Sequence, residues 1–299
     1  MKTKKQNNWG GNWTEQKLDA FEKYVESYLT IMIAQRKKYG NWPKRIIYFD
    51  GFAGSGSRSK ETVSNIQHDQ IELIDLDIQE NETKLYQGSA ERVVKLKKQF
   101  DEYYFVDSNS SALSSLKVKL QPYCSERCHY LEGNANNVLI EFSDNLTSSD
   151  VALILIDPFG MQINWASIAQ FKEKKVDIWI LVPSGVIVNR LLDKKGELKN
   201  IKTLEKFFGI NEKEIREVFY KKEQACTLFG NEELLVKVSD AINHIAILYA
   251  NRLKTIWNYI IDRPLVLMNS KNVPIYHFIF ASNNKTAVKI AKRIIESKE

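Results

Sequence analysis

The chain has 299 residues, with 43 Lys and Arg against 37 Asp and Glu, a net charge of +6 with histidine neutral. Charged residues make up 27% and hydrophobic ones 43%, which excludes a disordered tail, a collagen-like chain and a coiled coil, and the length fits one large α/β domain with an insertion or two smaller domains. The basic excess permits a nucleic acid partner without requiring one.

The first residues are basic, but no apolar stretch follows them, and no uninterrupted apolar run reaches the length of a membrane span. A soluble, cytoplasmic protein with no membrane partner is expected. Thr14 followed by Glu15 reads as a helix cap, and Leu18, Phe21, Val25, Tyr28, Leu29 and Met32 recur at helical spacing until Gly40, Asn41 and Pro43 stop the pattern. Arg45-Ile-Ile-Tyr-Phe-Asp50 then reads as a buried strand that runs straight into Gly51-Phe52-Ala53-Gly54-Ser55-Gly56. Residues 57–86 read as a long polar excursion with one apolar and acidic stretch from Ile71 to Ile78, and a helix is expected over 90–100.

Four more short apolar runs end in a polar residue or a turn: 103–107, 128–132, 152–157 and 178–182. Helical segments lie between them, which calls for a parallel, doubly wound sheet, because a parallel pair needs a crossover. After Pro183-Ser184-Gly185 the composition is mainly helical over 186–250, and an inserted helical subdomain is expected there, with the main domain formed by 1–185 and 251–299. The end reads as two strands, 264–268 and 275–281, joined by a short turn into an antiparallel hairpin, then a basic helix from Lys285.

The three cysteines are Cys124, Cys128 and Cys226. An odd count in a long chain points to ordinary thiols in a reducing compartment. Cys124 and Cys128 beside His129 have no matching second pair, so zinc is not expected, and Leu131 stands where the third ligand of a radical-type iron–sulfur cluster would fall. His68, His129, His244 and His277 are scattered and suggest no catalytic triad.

In open parallel sheets ligands sit at the carboxyl ends of the strands. At the first strand's end, Gly51, Gly54 and Gly56 let the backbone approach a ligand closely, and the same loop also serves as a plain turn from strand to helix. Asp107 ends the second strand, where a carboxylate accepts hydrogen bonds from vicinal ribose hydroxyls. Ser57, Arg58 and Ser59 follow the glycines, so the third glycine of a dinucleotide loop is missing, and no Gly-Lys-Ser/Thr marks a P-loop. A nucleoside without pyrophosphate fits better, and S-adenosylmethionine (SAM) is the commonest such cofactor. Asn134, in the turn after the third strand, offers an amide to an adenine edge or makes an ordinary Asx turn.

The fourth strand ends in Asp157-Pro158-Phe159-Gly160. Methylating a nucleobase amine needs acceptors that hold its hydrogens, and Asp157 with a neighbouring main-chain carbonyl supplies them. Pro158 fixes the loop and Phe159 offers a flat apolar face to a flipped base. The competing reading is a β-turn after a buried strand.

Tyr48-Phe-Asp-Gly-Phe-Ala-Gly-Ser-Gly56, Val106-Asp107 and Ile156-Asp-Pro-Phe-Gly160 resemble motifs of the class I SAM-dependent methyltransferases, and the order of elements is similar too. With the leading Trp13, Thr14 and Lys17, the whole chain resembles the three-Cys-motif partner proteins (TcmP), whose name refers to cysteines in a companion protein. The resemblance implies a Rossmann-like fold and a cofactor site made of Asp50, Gly51, Phe52, Gly54, Gly56, Asp107, Asn134 and Ala135. Within it, Asp50, Gly54 and Gly56 line the methionine side, Asp107 the ribose, and Asn134 with Ala135 the adenine. The single proline departs from the Asp/Asn-Pro-Pro-aromatic pattern of adenine-N6 methyltransferases and is similar to tRNA guanine-N2 dimethyltransferases, so an exocyclic amine in RNA or DNA is implied and the base is left open.

Asp157, Pro158, Phe159 and Gly160 form the expected catalytic set. A second expectation keeps the fold without catalysis: a SAM- or nucleotide-binding subunit that serves a companion protein of the radical type. Ser184 reads as a turn residue or a substrate contact, and Lys17 as an exposed helix lysine or a reach toward the cofactor's carboxylate. Arg190 and the lysines of 186–250, among Phe207, Phe208, Phe219 and Tyr220, read as a solvated face over core aromatics or as a grip on a nucleic acid backbone.

Overall fold

The computed structural model describes residues 12–56, 88–124, 126–227 and 230–297. The excursion with Ser57, Arg58, Ser59 and the Ile71 to Ile78 stretch, and His68, lie outside the described residues.

Ten strands are described: β1 Arg45–Asp50, β2 Glu102–Asp107, β3 Cys128–Glu132, β4 Asp150–Ile156, β5 Val176–Val182, β6 Tyr220–Thr227, β7 Gly230–Lys237, β8 Tyr259–Ile260, β9 Leu265–Met268 and β10 Pro274–Ser282. Eight form one sheet in the order β3-β2-β1-β4-β5-β10-β8, with β9 also paired to β10. The first five are parallel, and β10 runs antiparallel to β5, β8 and β9. The expected mixed α/β, Rossmann-like sheet closed by antiparallel C-terminal strands is the one observed. Every residue of β4 and β5 is buried, which is why their sequences are continuous apolar runs rather than alternations.

The longer helices are α1 Asn12–Lys38, α2 Ser89–Val94, α3 Ser110–Leu120, α4 Ala135–Asn145, α5 Trp165–Ala169, α6 Ile201–Phe208, α7 Glu212–Phe219, α8 Ala241–Leu253 and α9 Lys285–Glu296. A π-helical turn, Ser184–Val188, leads into a short helical turn at Asn189–Leu191. Along α1, Phe21, Tyr24, Val25, Tyr28 and Leu29 are buried, and the Tyr24 ring lies 4.6 Å from Phe280 and 5.5 Å from Trp179. Phe142 of α4 packs on Phe49 at 4.6 Å and on Tyr104 at 5.2 Å. The amino edge of the sheet is tied by Arg45, which bonds Asp150 at 2.7 Å and Glu102 at 3.3 Å.

Four expectations need correction. Helix α1 begins at Asn12, so Thr14 lies inside its first turn rather than capping it. Helix α2 stops at Val94, and Gln99 folds back to bond the Val94 carbonyl at 3.0 Å while the chain turns toward β2. The stretch 186–250 carries the antiparallel pair β6 and β7 beside its helices; Lys221, Lys222, Glu223 and Gln224 are all exposed, so no period-two pattern was there to read. Its Phe207, Phe208, Phe219 and Tyr220 are buried in the same core as the sheet, which leaves no aromatic among them for base stacking. Finally, Cys124 and Cys128 are joined in a disulfide rather than standing as thiols: the turn at 121–123 brings their Cα atoms to 5.9 Å, inside the range a cystine spans. This removes the cysteine argument for a reducing compartment. No helix among the described residues is long and apolar enough to cross a membrane.

Candidate active site at the carboxyl ends of the strands

Strand order reverses at β1, which has β2 on one side and β4 on the other. The crevice beyond that point is where open α/β sheets take ligands. The loop after β1 is laced to both neighbours, Gly51 N donating to the Leu155 carbonyl at 3.0 Å and Ala53 N to the Val106 carbonyl at 2.9 Å. Gly54 and Gly56 have φ of +58° and +68°, a left-handed backbone that glycine adopts without steric cost. A Cβ on Gly54 would meet nothing within 4 Å, so this turn of the loop faces open space.

Asp107 holds that loop in place. It is half-buried and accepts from Gly54 N at 2.9 Å through Oδ2 and from Asn109 N at 2.8 Å through Oδ1. Each oxygen keeps a second lone pair. Asp50 is fully buried and accepts from Ser89 Oγ at 2.7 Å, Tyr48 Oη at 3.1 Å and Phe52 N at 3.2 Å. Burial pushes its carboxyl up to about 6 against the pull of Ser89 and Phe52, and the charge of Asp157 adds to the rise. At the end of β3, Glu132 and Asn134 are exposed. Asn134 spends its side-chain oxygen on Asn136 N at 2.9 Å, capping α4, which leaves its amide NH2 for a ligand; Ala135 is buried in the first turn. Asn136, unnoticed in the sequence, is buried and ties Gln162 O, Asn164 N and Ser167 Oγ together beneath the crevice.

These residues fit a nucleoside cofactor such as SAM. Space opens before Gly54, the Asp107 carboxylate has lone pairs to spare for two hydroxyls, and two polar side chains edge the β3 end.

On the other side of the switch point, Asp157 leaves β4 into Pro158, which is buried, and Phe159, which is 39% exposed. Gly160 has φ of +153° and a Cβ there would sit 2.9 Å from Ile187 Cδ1, so the loop is pressed against the π-helical turn. Lys17 lies across from Asp157. Far from being an exposed helix lysine, it is buried, and its ammonium pairs with Asp157 Oδ2. Its Nζ stands 5.6 Å from the centroid of the Trp13 ring, which stacks on Tyr276 of β10 at 5.2 Å. Thr14 Oγ1, one turn before Lys17, is buried with no hydrogen-bond partner. A signal for this pair exists in the sequence: Lys17 falls on the stripe of Phe21, Tyr24 and Tyr28, at helical spacings of four, seven and eleven.

Ser184 faces the protein interior. Its Oγ lies 2.7 Å from His277 Nδ1, and both residues are buried, which makes Ser184 part of the turn rather than a substrate contact. Burial lowers His277 to about 4, so its ring is neutral near pH 7. At the opposite end of the sheet a cavity of about 120 Å³ opens between α1 and α9, beside Tyr24, Tyr28 and Asp177. Among the described residues no cluster of His, Cys, Asp and Glu could hold a metal.

No family model matches the chain. No curated protein matches it either. Among solved structures, protein LPL1258 from Legionella pneumophila is similar at 14% identity and a TM-score of 0.38, over 90% of this chain and 97% of that one. Trm1 from Pyrococcus horikoshii, solved with S-adenosyl-L-methionine, is similar at 10% identity and a TM-score of 0.36, over 99% and 75%. Precorrin-6y C5,15-methyltransferase from Geobacter metallireducens is similar at 14% identity and a TM-score of 0.27, over 64% and 75%. At such scores the reading of the site rests on its own residues.

Proposed function

We propose that the chain is a SAM-dependent methyltransferase that acts on an exocyclic amine of a nucleobase in RNA or DNA. The observation that carries the reading is the pairing of two half-sites across the switch point. A glycine loop pinned by Asp107 lies on one side of β1, and the Asp157 carboxylate beside an exposed Phe159 ring lies on the other.

Gly51, Phe52, Gly54 and Gly56 would cradle the cofactor, Asp107 its ribose and Asn134 with Ala135 its adenine, with Asp50 behind the methionine end. Bound there, SAM supplies an electrophilic methyl group on a sulfonium. Asp157 Oδ1 accepts an N–H of the incoming amine, fixes its orientation and stabilises the positive charge that grows on nitrogen. Phe159 stacks on the base, and Pro158 keeps the loop from yielding. Lys17 keeps Asp157 ionised, because an ammonium beside a carboxylate favours the charged form.

The resemblance to the three-Cys-motif partner proteins supports a companion protein as a partner. Calorimetry with SAM and with S-adenosylhomocysteine tests the cofactor, the expected result being binding that Asp107→Ala weakens at least tenfold. Absence of binding to the wild type refutes the methyltransferase reading. Tritium transfer from labelled SAM to total RNA or DNA is expected to vanish in Asp157→Ala while SAM affinity persists. Cofactor binding with no transfer to either polymer replaces the enzyme with a SAM-binding subunit of a companion.

A further inference from the structure

The ion pair between Lys17 and Asp157 bears on which base the site accepts, if the proposed function holds. Bases with an exocyclic amine fall into two patterns at the edge that carries it. In adenine and cytosine the amine adjoins a ring nitrogen with a lone pair, so the edge is an amidine that offers N–H donors next to an acceptor. In guanine the 2-amino group adjoins the N1–H, so the edge offers donors only. A free carboxylate suits guanine, since its two oxygens accept both kinds of N–H in parallel. Asp157 is not a free carboxylate: its Oδ2 is held by the Lys17 ammonium, and among the described residues it takes no other hydrogen bond.

From this we infer that Lys17 is a specificity-determining residue, and that the acceptor is an amidine edge, adenine or cytosine, rather than guanine. Oδ1 is left for one amine hydrogen, and a main-chain carbonyl of the Asp157-Pro158 segment is the natural acceptor for the other. The ring atom beside the amine then comes to lie near a buried positive charge. A lone pair there is attracted to it, whereas an N1–H is repelled and loses its acceptor. The penalty is large because the site is shielded: Lys17 has only 3% of its side chain exposed and Asp157 only 14%. Lys17 is fixed there by the fold. It sits on the buried stripe of α1, under Trp13 and the Trp13–Tyr276 stack, and does not swing out to make room for a donor. The orphan hydroxyl of Thr14, one turn away on the same helix, is a further polar group on this side that lacks a partner.

The test uses the full chain, labelled SAM and single-stranded RNA and DNA oligonucleotides in which one adenine, cytosine or guanine sits in an otherwise uracil or thymine background. Labelled nucleosides are identified by mass spectrometry after digestion. The expected product is methylated adenine or cytosine, with kcat/KM roughly 10- to 100-fold above that for guanine. Lys17→Met is expected to shrink this ratio at least tenfold, and Lys17→Arg, which keeps the charge, to retain more of it. A ratio measured within one protein does not move when a variant merely folds less well. Guanine as the preferred wild-type substrate overturns the inference and leaves the methyltransferase reading standing. An unchanged ratio in a folded Lys17→Met protein overturns the role of Lys17. Label on no oligonucleotide, with SAM bound, removes the nucleobase target and this inference with it.

Discussion

If Asp50 stands behind the methionine end of the cofactor, SAM affinity should depend on pH in a way its burial fixes in advance. Its carboxyl titrates at about 6 because the side chain is fully buried. At pH 5 such a group is protonated about ten times out of eleven, and at pH 7 about once in eleven. The α-ammonium of SAM is attracted to the ionised form only, and a cation within a few ångströms in a low-dielectric interior draws the carboxyl back down toward its ordinary range. Binding at pH 5 must then expel a proton that binding at pH 7 does not. The cost is about 1.4 kcal/mol, so affinity should rise about tenfold from pH 5 to pH 7. Asp50→Asn keeps a neutral acceptor for Ser89 Oγ and the Phe52 amide, and should flatten the profile near its pH 5 level. The assay is calorimetry at pH 5, 6 and 7 in buffers of different ionisation enthalpy, which also counts the protons released. A flat wild-type profile, or the same slope in Asp50→Asn, refutes the placing of Asp50 at the cofactor.

Two further outcomes test the frame. Asp177 is buried, accepts from Tyr24 Oη at 2.7 Å and Ser282 Oγ at 2.5 Å, and titrates at about 6 because burial outweighs those two bonds. The folded protein therefore holds this proton more tightly than the unfolded chain, and stability due to Asp177 falls as pH rises from about 4 through 6; urea unfolding should show wild type losing about 3 kcal/mol relative to Asp177→Asn over that window, and parallel curves would falsify the assignment. Gly185→Ala should destabilise by about 3 kcal/mol, at the upper end of overpacking costs, because its Cβ would sit 1.9 Å from the Pro274 carbonyl oxygen, which is fixed in β10; urea unfolding measures it, and a variant as stable as wild type contradicts the packing of the π-helical turn on that strand.

The parallel strands were legible because each is a short apolar run bounded by turn residues, and burial on both faces makes such runs continuous. Asp50, Asp107 and Asp157 were legible for a related reason: a polar residue that ends a buried strand lies at the sheet's carboxyl edge, whatever the helices do. Other features depend on partners far away in sequence. The β6 and β7 hairpin has an exposed face without alternation. The closing pair Ser184 and His277 is 93 residues apart, and neither carries a local signal of the other. Asn134 was read as a ligand or a turn residue, and its oxygen is committed to the cap of α4.

Lys17 shows what local reading lacks. Helix α1 carries three polar tethers along its length: Lys17 to Asp157, Tyr24 to Asp177 and Arg36 to Asp101. Asp157 follows β4 at the carboxyl end of the sheet, whereas Asp177 near the start of β5 and Asp101 just before β2 lie at the amino end. From Lys17 to Arg36 the helix rises about 28 Å, comparable with the length of a seven-residue strand at about 23 Å, so α1 spans the sheet against the direction of its parallel strands. A slip of one residue would turn each tether by about 100° and break all three together. The charge beside Asp157 is therefore set by the register of a helix 140 residues away in sequence, and that register is held at the opposite edge of the sheet. A motif such as Asp157-Pro158-Phe159-Gly160 names a reactive edge; the helix laid across it decides what that edge can bind.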